Sequence, residues 1–396
     1  MDYPSLFLLL CVSLTQFSQG TDNMNGFKNK STSGTGLLNL GSKSPLMHTK
    51  ANLSDIRSIK SSFDFRTLDP EGVLLYGDTR GGLDWFVLAL RDGLPEMQIG
   101  KGDAVAIATG GPRLNDGRWH HVQLRSEGRS VVLEVGGAPV LLVGLHSQHA
   151  VEDTAGQIRL SLGGVLVQEL EFFTPVQPQM DGCIRAGNWL NHNLTWEIDL
   201  REEGPPCFTE IHKGSFFPGT GLALFNTSAF LAHQANRKVV TIEMEGPFAE
   251  WSGTALTILT SQHDPVLTIT AQNQTEELKV VFREQVVSVP GVHAKLAVNL
   301  SRHAVSIESD NAIIAEFQDD THDWLDRWHE GMALAFGGVP EDIADDTTAE
   351  NGSSYLHGCV GRIRIQEQEV DLDRALYKHS SVSTHSCPAS INFLDP

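Results

Sequence analysis

The chain has 396 residues, 49 acidic against 29 basic side chains, and a formal net charge of −20. A surplus of that size argues against nucleic acid, heparin-like polymers and anionic membrane surfaces as primary partners, and it favours solubility. Once an export signal is removed, roughly 370 residues remain, which predicts two domains.

Residues 1–20 read as a signal peptide. An apolar run from Leu6 to Leu14 is followed by Ser18-Gln19-Gly20, small and polar residues suited to cleavage. The run is far shorter than the roughly 20 residues of a membrane span. No later segment qualifies as a span either. Val131 to Leu145 comes nearest, but Glu134, Gly136, Gly137 and Pro139 divide it into two strands and a turn. The expected location is therefore extracellular. Residues 21–46, rich in Ser, Gly, Asn, Thr and Lys without periodicity, read as a flexible leader.

From Met47 onward strand signals dominate. Ser62 to Arg66 alternates, Val73 to Tyr76 is an apolar run closed by Gly77-Asp78, and Trp85 to Leu90 ends at Asp92-Gly93. Val122 to Arg125 and Val131 to Val135 follow, with Gly136-Gly137 as a turn. His120-His121 is expected at the start of a buried strand, one ring in and one out. The second half repeats the plan with Val239 to Met244, Ala255 to Leu259 and Val266 to Ile269. Short strands at this spacing, without long amphipathic helices, predict antiparallel sandwiches.

The strongest internal match closes each half. Leu160-Ser161-Leu162-Gly163-Gly164-Val165 leads to Gly182-Cys183-Ile184, and Leu334-Ala335-Phe336-Gly337-Gly338-Val339 leads to Gly358-Cys359-Val360. The gap from second glycine to cysteine is 19 residues in one copy and 21 in the other. Two such copies predict a duplicated domain. The expected boundaries are 47–207 and 220–387, with a linker at 208–219 and a tail at 388–396.

Cys11 leaves with the signal, so Cys183, Cys207, Cys359 and Cys387 remain. Four cysteines in an exported chain allow three connectivities. Spacing favours Cys183 with Cys207 and Cys359 with Cys387, because each pair sits near the end of one half. Asn-X-Ser/Thr sequons start at Asn29, Asn52, Asn193, Asn226, Asn273, Asn299 and Asn351. Glycosylation is expected at some of them, with Asn52 and Asn299 the least favourable because they lie in strand-like runs. No zinc, Walker, GxSxG or paired-carboxylate motif occurs in a fitting context, so the chain does not read as an enzyme.

The repeats resemble laminin G-like domains. Leu114-Asn115-Asp116-Gly117-Arg118-Trp119-His120-His121-Val122 is similar to that family's Asp-Gly-x-Trp-His lead into a strand, and Gly182-Cys183 and Gly358-Cys359 to its C-terminal Gly-Cys strand. The resemblance implies an all-β fold of two tandem laminin G-like antiparallel β-sandwiches of the jelly-roll type. The first domain is more closely similar to the sex hormone-binding globulin family. Ser61-Ser62-Phe63, Arg66-Thr67, Asp69-Pro70-Glu71-Gly72-Val73, Tyr76-Gly77-Asp78-Thr79, Asp84-Trp85-Phe86, Leu90-Arg91-Asp92-Gly93 and Gly111-Pro112-Arg113-Leu114 carry that similarity, with Thr384-His385-Ser386-Cys387-Pro388 near the C-terminus.

This resemblance implies a plasma carrier that binds an androgen or estrogen between the sheets of the first domain. Ser61 matches the position whose hydroxyl bonds the steroid A-ring oxygen, and Asp84 the carboxylate that accepts from the 17-hydroxyl. Phe86 is expected to line the slot. Lys101 stands where mammalian members carry Asn. It donates a hydrogen bond but accepts none, and it reads either as a ligand contact paired with Asp84 or as a solvated loop lysine. Ser126 and Ile158 stand where mammalian members carry Met beside the ligand. Leu124, on the same face as Ser126, is as well explained by core packing. Asp69, Glu71 and the Gln179 carbonyl match calcium ligands. The family's zinc histidines fall at Gly102 and Ala155, so no zinc site is expected. Homodimerisation through the first domain is implied too. The competing reading is an extracellular, calcium-dependent adhesion or receptor-binding protein of the laminin G type.

Overall fold

The computed structural model describes residues 36–38, 45, 47–56, 60–79, 81–102, 104–127, 130–144, 156–167, 172–192, 194, 197–198, 207–233, 238–272, 277–290, 294–340 and 355–389. The signal stretch, Ala155, and the sequon asparagines Asn29, Asn193, Asn273 and Asn351 lie outside the described residues. The fold is all-β and antiparallel, in two compact units, Met1–Cys207 and Phe208–Pro396.

In the first unit the strands are β1 (Gly36–Leu38), β2 (Met47–Asn52), β3 (Ser61–Thr67), β4 (Gly72–Thr79), β5 (Asp84–Arg91), β6 (Leu94–Lys101), β7 (Ala104–Thr109), β8 (His120–Glu127), β9 (Ser130–Val135), β10 (Ala138–Gly144), β11 (Gln157–Leu162), β12 (Gly182–Asn188) and β13 (Glu197–Ile198). A six-stranded sheet has the order β1-β12-β3-β8-β9-β10, and a seven-stranded sheet the order β13-β2-β11-β4-β5-β6-β7.

Period-2 alternation decides what lies between the sheets. Phe63, Phe65, Val122, Leu124, Leu133 and Ile184 face in from the first sheet; Leu75, Leu88, Leu90, Met97, Ile99 and Leu160 face in from the second. Each such side chain contributes about 1.5–3 kcal/mol by leaving water. The outer face of the first sheet is polar, carrying the ion pairs Arg125–Glu134 and Arg185–Asp64, with His121 Nδ1 2.8 Å from Asp64 Oδ1.

The second sheet is buried on both faces, which is why β5 reads as an unbroken apolar run. Val73, Tyr76, Trp85, Val87 and Ala89 on its outer side are covered by Val165, Leu166, Phe172 and Val176. Glu96 fastens part of this cover. Its carboxylate takes Arg91 Nε at 2.7 Å and the Thr174 hydroxyl at 3.1 Å. Burial pushes the Glu96 carboxyl up, but hydrogen bonds from Arg91, Gln98 and Thr109 outweigh it and hold the group below the usual carboxylate range.

The second unit repeats the architecture. A seven-stranded sheet runs from Gln285–Pro290 through Glu277–Phe282, Pro265–Gln272, Gly253–Leu259, Ala333–Phe336 and Ala223–Asn226 to Tyr377–Lys378. A six-stranded sheet with Val240–Glu245 and Lys295–Leu300 at its centre faces it. Its core is built on Trp251, Trp324, Trp328, Phe282 and Phe336.

Short strands also lie outside the two expected domain ranges. Gly36–Leu38, within the stretch read as leader, pairs with Gly182–Ile184. Ile211–Lys213 and Ser215–Pro218, within the stretch read as linker, pair with Ser386–Pro388 and His357–Val360. Pro388, read as the first residue of the tail, closes that final strand. These strands are too short to show a period, and a long-range partner recruits them. The disulfides are Cys183–Cys207 and Cys359–Cys387, each with Cα atoms 5.9 Å apart.

Candidate functional site

Topology sorts the candidate residues to the two ends of the first sandwich. β3 runs from Ser61 to Thr67 and a short connection leads to Gly72 at the start of β4. Thr67 and Gly72 therefore share one end, and Ser61 and Thr79 share the other.

At the Ser61 end a row crosses the second sheet. Ile158 lies opposite Thr79, Thr79 opposite Asp84, and Asp84 opposite Lys101. Directly opposed side chains share a face, and Ile158 belongs to the inter-sheet core, so all four face inward. Lys101 ends β6 rather than standing in a loop, and it is buried with Asp84, at 8 % and 6 % exposure. The Gly102 N–H donates to Asp84 Oδ1 at 3.3 Å.

The next row holds Leu160, Gly77, Phe86, Ile99 and Ala106. Gly77 matters here because a Cβ would collide with the Phe86 ring and Leu160. Its absence lets the ring lie inward across β4. Phe86, Ala51 and Ala106 pack on the core yet stay partly accessible.

Across from this row, Ser61 lies opposite Leu124, and Leu124 opposite Leu133. Ser61 and Leu124 are buried, while Ser126, opposite Val131, is half-buried. Ser61 Oγ accepts from the Leu190 N–H at 2.9 Å. Leu190 and Asn191 form a turn with φ of 55° and 49°, and the Asn191 N–H donates to the Lys60 carbonyl at 2.8 Å. β7 and β10 adjoin at one side of the sandwich. Counted from that side, β3 is fourth in its sheet, and β6 and β5 are second and third in theirs. At about 4.8 Å per strand, Ser61 and the Asp84–Lys101 pair stand laterally apart by about 5–10 Å.

The calcium candidates occupy the opposite end. Asp69, 1 % exposed, accepts from the Glu71 N–H at 2.9 Å and from the Asp181 N–H at 3.0 Å. The Gln179 carbonyl is close to Gly72, where a Cβ would strike it. Asp69 and the Gln179–Asp181 segment thus come together. Glu71 is engaged elsewhere: its Oε1 accepts from the Asp92 N–H at 2.9 Å.

A family model for the laminin G domain matches residues 65–195. The chain is 31% identical over 344 residues to the sex hormone-binding globulin of Crocuta crocuta, covering 86% of this chain and 85% of that protein. The chain belongs to the sex hormone-binding globulin family. The Rattus norvegicus globulin of that name is 30% identical over 392 residues, covering 97% of this chain and 94% of its own length. Vitamin K-dependent protein S of Oryctolagus cuniculus is 26% identical over 374 residues, but these span only 56% of that protein. Among solved structures, mouse laminin alpha1 domains LG4-5 superpose with a TM-score of 0.65 over 92% of this chain and 100% of theirs. Their identity is 18%, which bears on the fold alone.

Two residues of this globulin-family chain escaped the sequence reading. Thr79 was detectable, because the β4–β5 hairpin register places it opposite Asp84. Leu190 was not, since its bond to Ser61 joins positions 129 residues apart. Of the described sequon asparagines, Asn52 is exposed and Asn226 half-buried. Asn299 accepts from Thr241 Oγ1 and donates to Glu308 Oε1, both at 2.8 Å. Among the described residues no helix is long and apolar enough to cross a membrane.

Proposed function

We propose that this chain is a secreted carrier that reversibly binds a sex steroid between the sheets of its first unit. The supporting observation is the inward-facing set at one end of that sandwich. Phe86, Leu124 and Ile158 supply apolar walls, Ser126 widens the space, and polar groups converge from Ser61 on one side and from Asp84 and Lys101 on the other. A steroid is a rigid apolar plate with an oxygen at each end, and such a slot with few placed polar groups suits it. Desolvated partners discriminate because a missing ligand oxygen leaves one of them unpaired. The relatives are named for binding a hormone, and the reading requires no catalysis.

Equilibrium binding of tritiated dihydrotestosterone and estradiol to the full chain tests the proposal. Saturable binding of either, with one site per chain, supports it. No binding in calcium-replete buffer favours the adhesion reading instead.

Two further parts belong to the proposal. Calcium, a hard ion that takes oxygen ligands, would be held by Asp69 and the Gln179 carbonyl, with Glu71 a member only if it leaves Asp92. A homodimer would form through the first unit. The outermost strand β7, Ala104–Thr109, carries no charge, and Val105 there and Leu142 on neighbouring β10 are exposed. An edge without charges lacks the usual protection against pairing with another chain.

A further inference from the structure

In the second unit the strand Ala223–Asn226 ends on a sequon, Asn226-Thr227-Ser228. Asn226 Oδ1 accepts from the Ser228 N–H at 2.8 Å, whereas Asn226 Nδ2 makes no hydrogen bond among the described residues. The other described sequon amides are engaged: Asn299 Nδ2 donates to Glu308 and Asn52 Nδ2 to Asp55. Gly331 borders the free nitrogen and keeps the approach to it open, because a Cβ there would come to 3.4 Å from Nδ2. Thr227 pins this corner. Its hydroxyl donates to the Trp328 carbonyl and accepts from the Met332 N–H, both at 2.8 Å.

Glu330, next to Gly331, begins a polar cleft of about 760 Å³. Its lining follows the helix Trp324–Glu330 back to Asp323 and takes in the 260–264 loop and Arg283. Asn226 lies opposite Ala333, and Ala333 opposite Leu259, so that loop begins two strands from Asn226, about 10 Å away. The Arg327 guanidinium lies 5.8 Å over the Trp324 ring and makes no ion pair among the described residues, nor do Asp264, Asp326 and Glu330. An anion here would meet those carboxylates, and a cation would meet Arg327 and Arg283. A neutral sugar suits both, since a carboxylate only accepts, a guanidinium only donates, and each sugar hydroxyl does either. Trp324 is fully buried and offers no face for stacking. Hydrogen bonds made at a wet surface hold a free sugar weakly, but a short tether raises its effective concentration to the order of millimolar.

We infer that Asn226 carries an N-linked glycan whose first sugars lie in this cleft, their hydroxyls bonded to its carboxylates and to Arg327. The inference rests on export of the chain, where the donor is an oligosaccharide linked to a lipid diphosphate. Asn226 Nδ2 bonds to the anomeric carbon as the carbon–oxygen bond to the diphosphate breaks. The lipid diphosphate leaves with that electron pair, and the amide gives up one proton.

The test uses the full chain secreted by cultured animal cells. Digestion with peptide-N-glycosidase in heavy-oxygen water, followed by peptide mass spectrometry, is expected to find Asn226 converted to labelled aspartate. Ser228→Ala removes the sequon and leaves Asn226 in place. In that variant the amides of the 260–264 loop are expected to exchange hydrogen about twofold to tenfold faster than in the glycosylated chain, the range of a single hydrogen bond. If the variant does not fold, enzymatic removal of the glycan from the folded wild-type chain gives the same comparison. Arg327→Ala/Glu330→Ala keeps the sequon and is expected to speed exchange in the loop as much as loss of the glycan does. An unmodified Asn226 in the secreted chain, or a modified one whose glycan can be lost without moving the exchange, overturns this inference alone. Retention of the chain inside the cells overturns the export reading and the inference with it.

Discussion

Ser61→Ala removes one oxygen and perturbs two processes that can be measured separately. In the ligand-free chain Ser61 Oγ accepts from the Leu190 N–H at 2.9 Å, and both residues are nearly buried, at 2 % and 3 % exposure. Alanine leaves that N–H without its acceptor, which costs about 1–3 kcal/mol. At about 2–4 °C per kcal/mol for a unit of this size, the first unit should melt about 2–12 °C lower. The Leu190–Asn191 turn, already in the left-handed region, loses one of its anchors to the sheet. In the complex, loss of the hydrogen bond to the ligand oxygen costs about 0.5–1.5 kcal/mol, a twofold to tenfold rise in Kd. Differential scanning calorimetry of the ligand-free chain reads the first effect and equilibrium steroid binding the second. An unchanged melting temperature would refute the anchoring role of Ser61. A lowered melting temperature with unchanged Kd would show that Ser61 holds the turn and does not touch the ligand.

Other expectations concern stability, metal and assembly. Burial pushes the Asp373 carboxyl up, but the buried Lys378 ammonium 2.7 Å away and neighbouring His385 outweigh it and hold the group well below the usual carboxylate range. A depressed carboxylate stabilises the fold above its unfolded value of 3.8, and that contribution fades as pH falls toward the folded value. The second unit should therefore lose stability below about pH 4. Lys378→Met should cost about 3–5 kcal/mol at neutral pH and flatten the acid limb in melts recorded against pH. Calcium should raise the melting temperature of the first unit relative to EDTA, and Asp69→Asn should abolish that difference; equal melts in both buffers would remove the calcium proposal. Val105→Lys places a charge on the β7 edge and should turn a dimer into a monomer in sedimentation velocity. A dimer that persists would place the interface elsewhere.

Much of the fold was legible because its signals are local. Asp92-Gly93, read as a turn, takes φ of 50° and 76° between β5 and β6. The Gly-Gly pair at 136–137 likewise takes φ of 60° and 83° between β9 and β10. The edge pieces Gly36–Leu38 and Ile211–Lys213 were not legible, because three residues carry no period and their partners lie more than 140 residues away. Positions in the candidate site were legible only through family resemblance. Nothing local distinguishes Ser61 from Ser62, yet one faces the core and the other is half-exposed. Lys101 shows the limit most clearly. Residue type favours a solvated loop, whereas pairing to Asp84 turns the side chain inward.

A crystal structure of the full chain grown with a bound androgen or estrogen tests the central proposal most directly. The steroid is expected between the two sheets of the first unit, with one oxygen at Ser61, the other at Asp84 and Lys101, and Phe86 against its rings. Electron density for the steroid anywhere else, with this inter-sheet space filled by side chains, would contradict it.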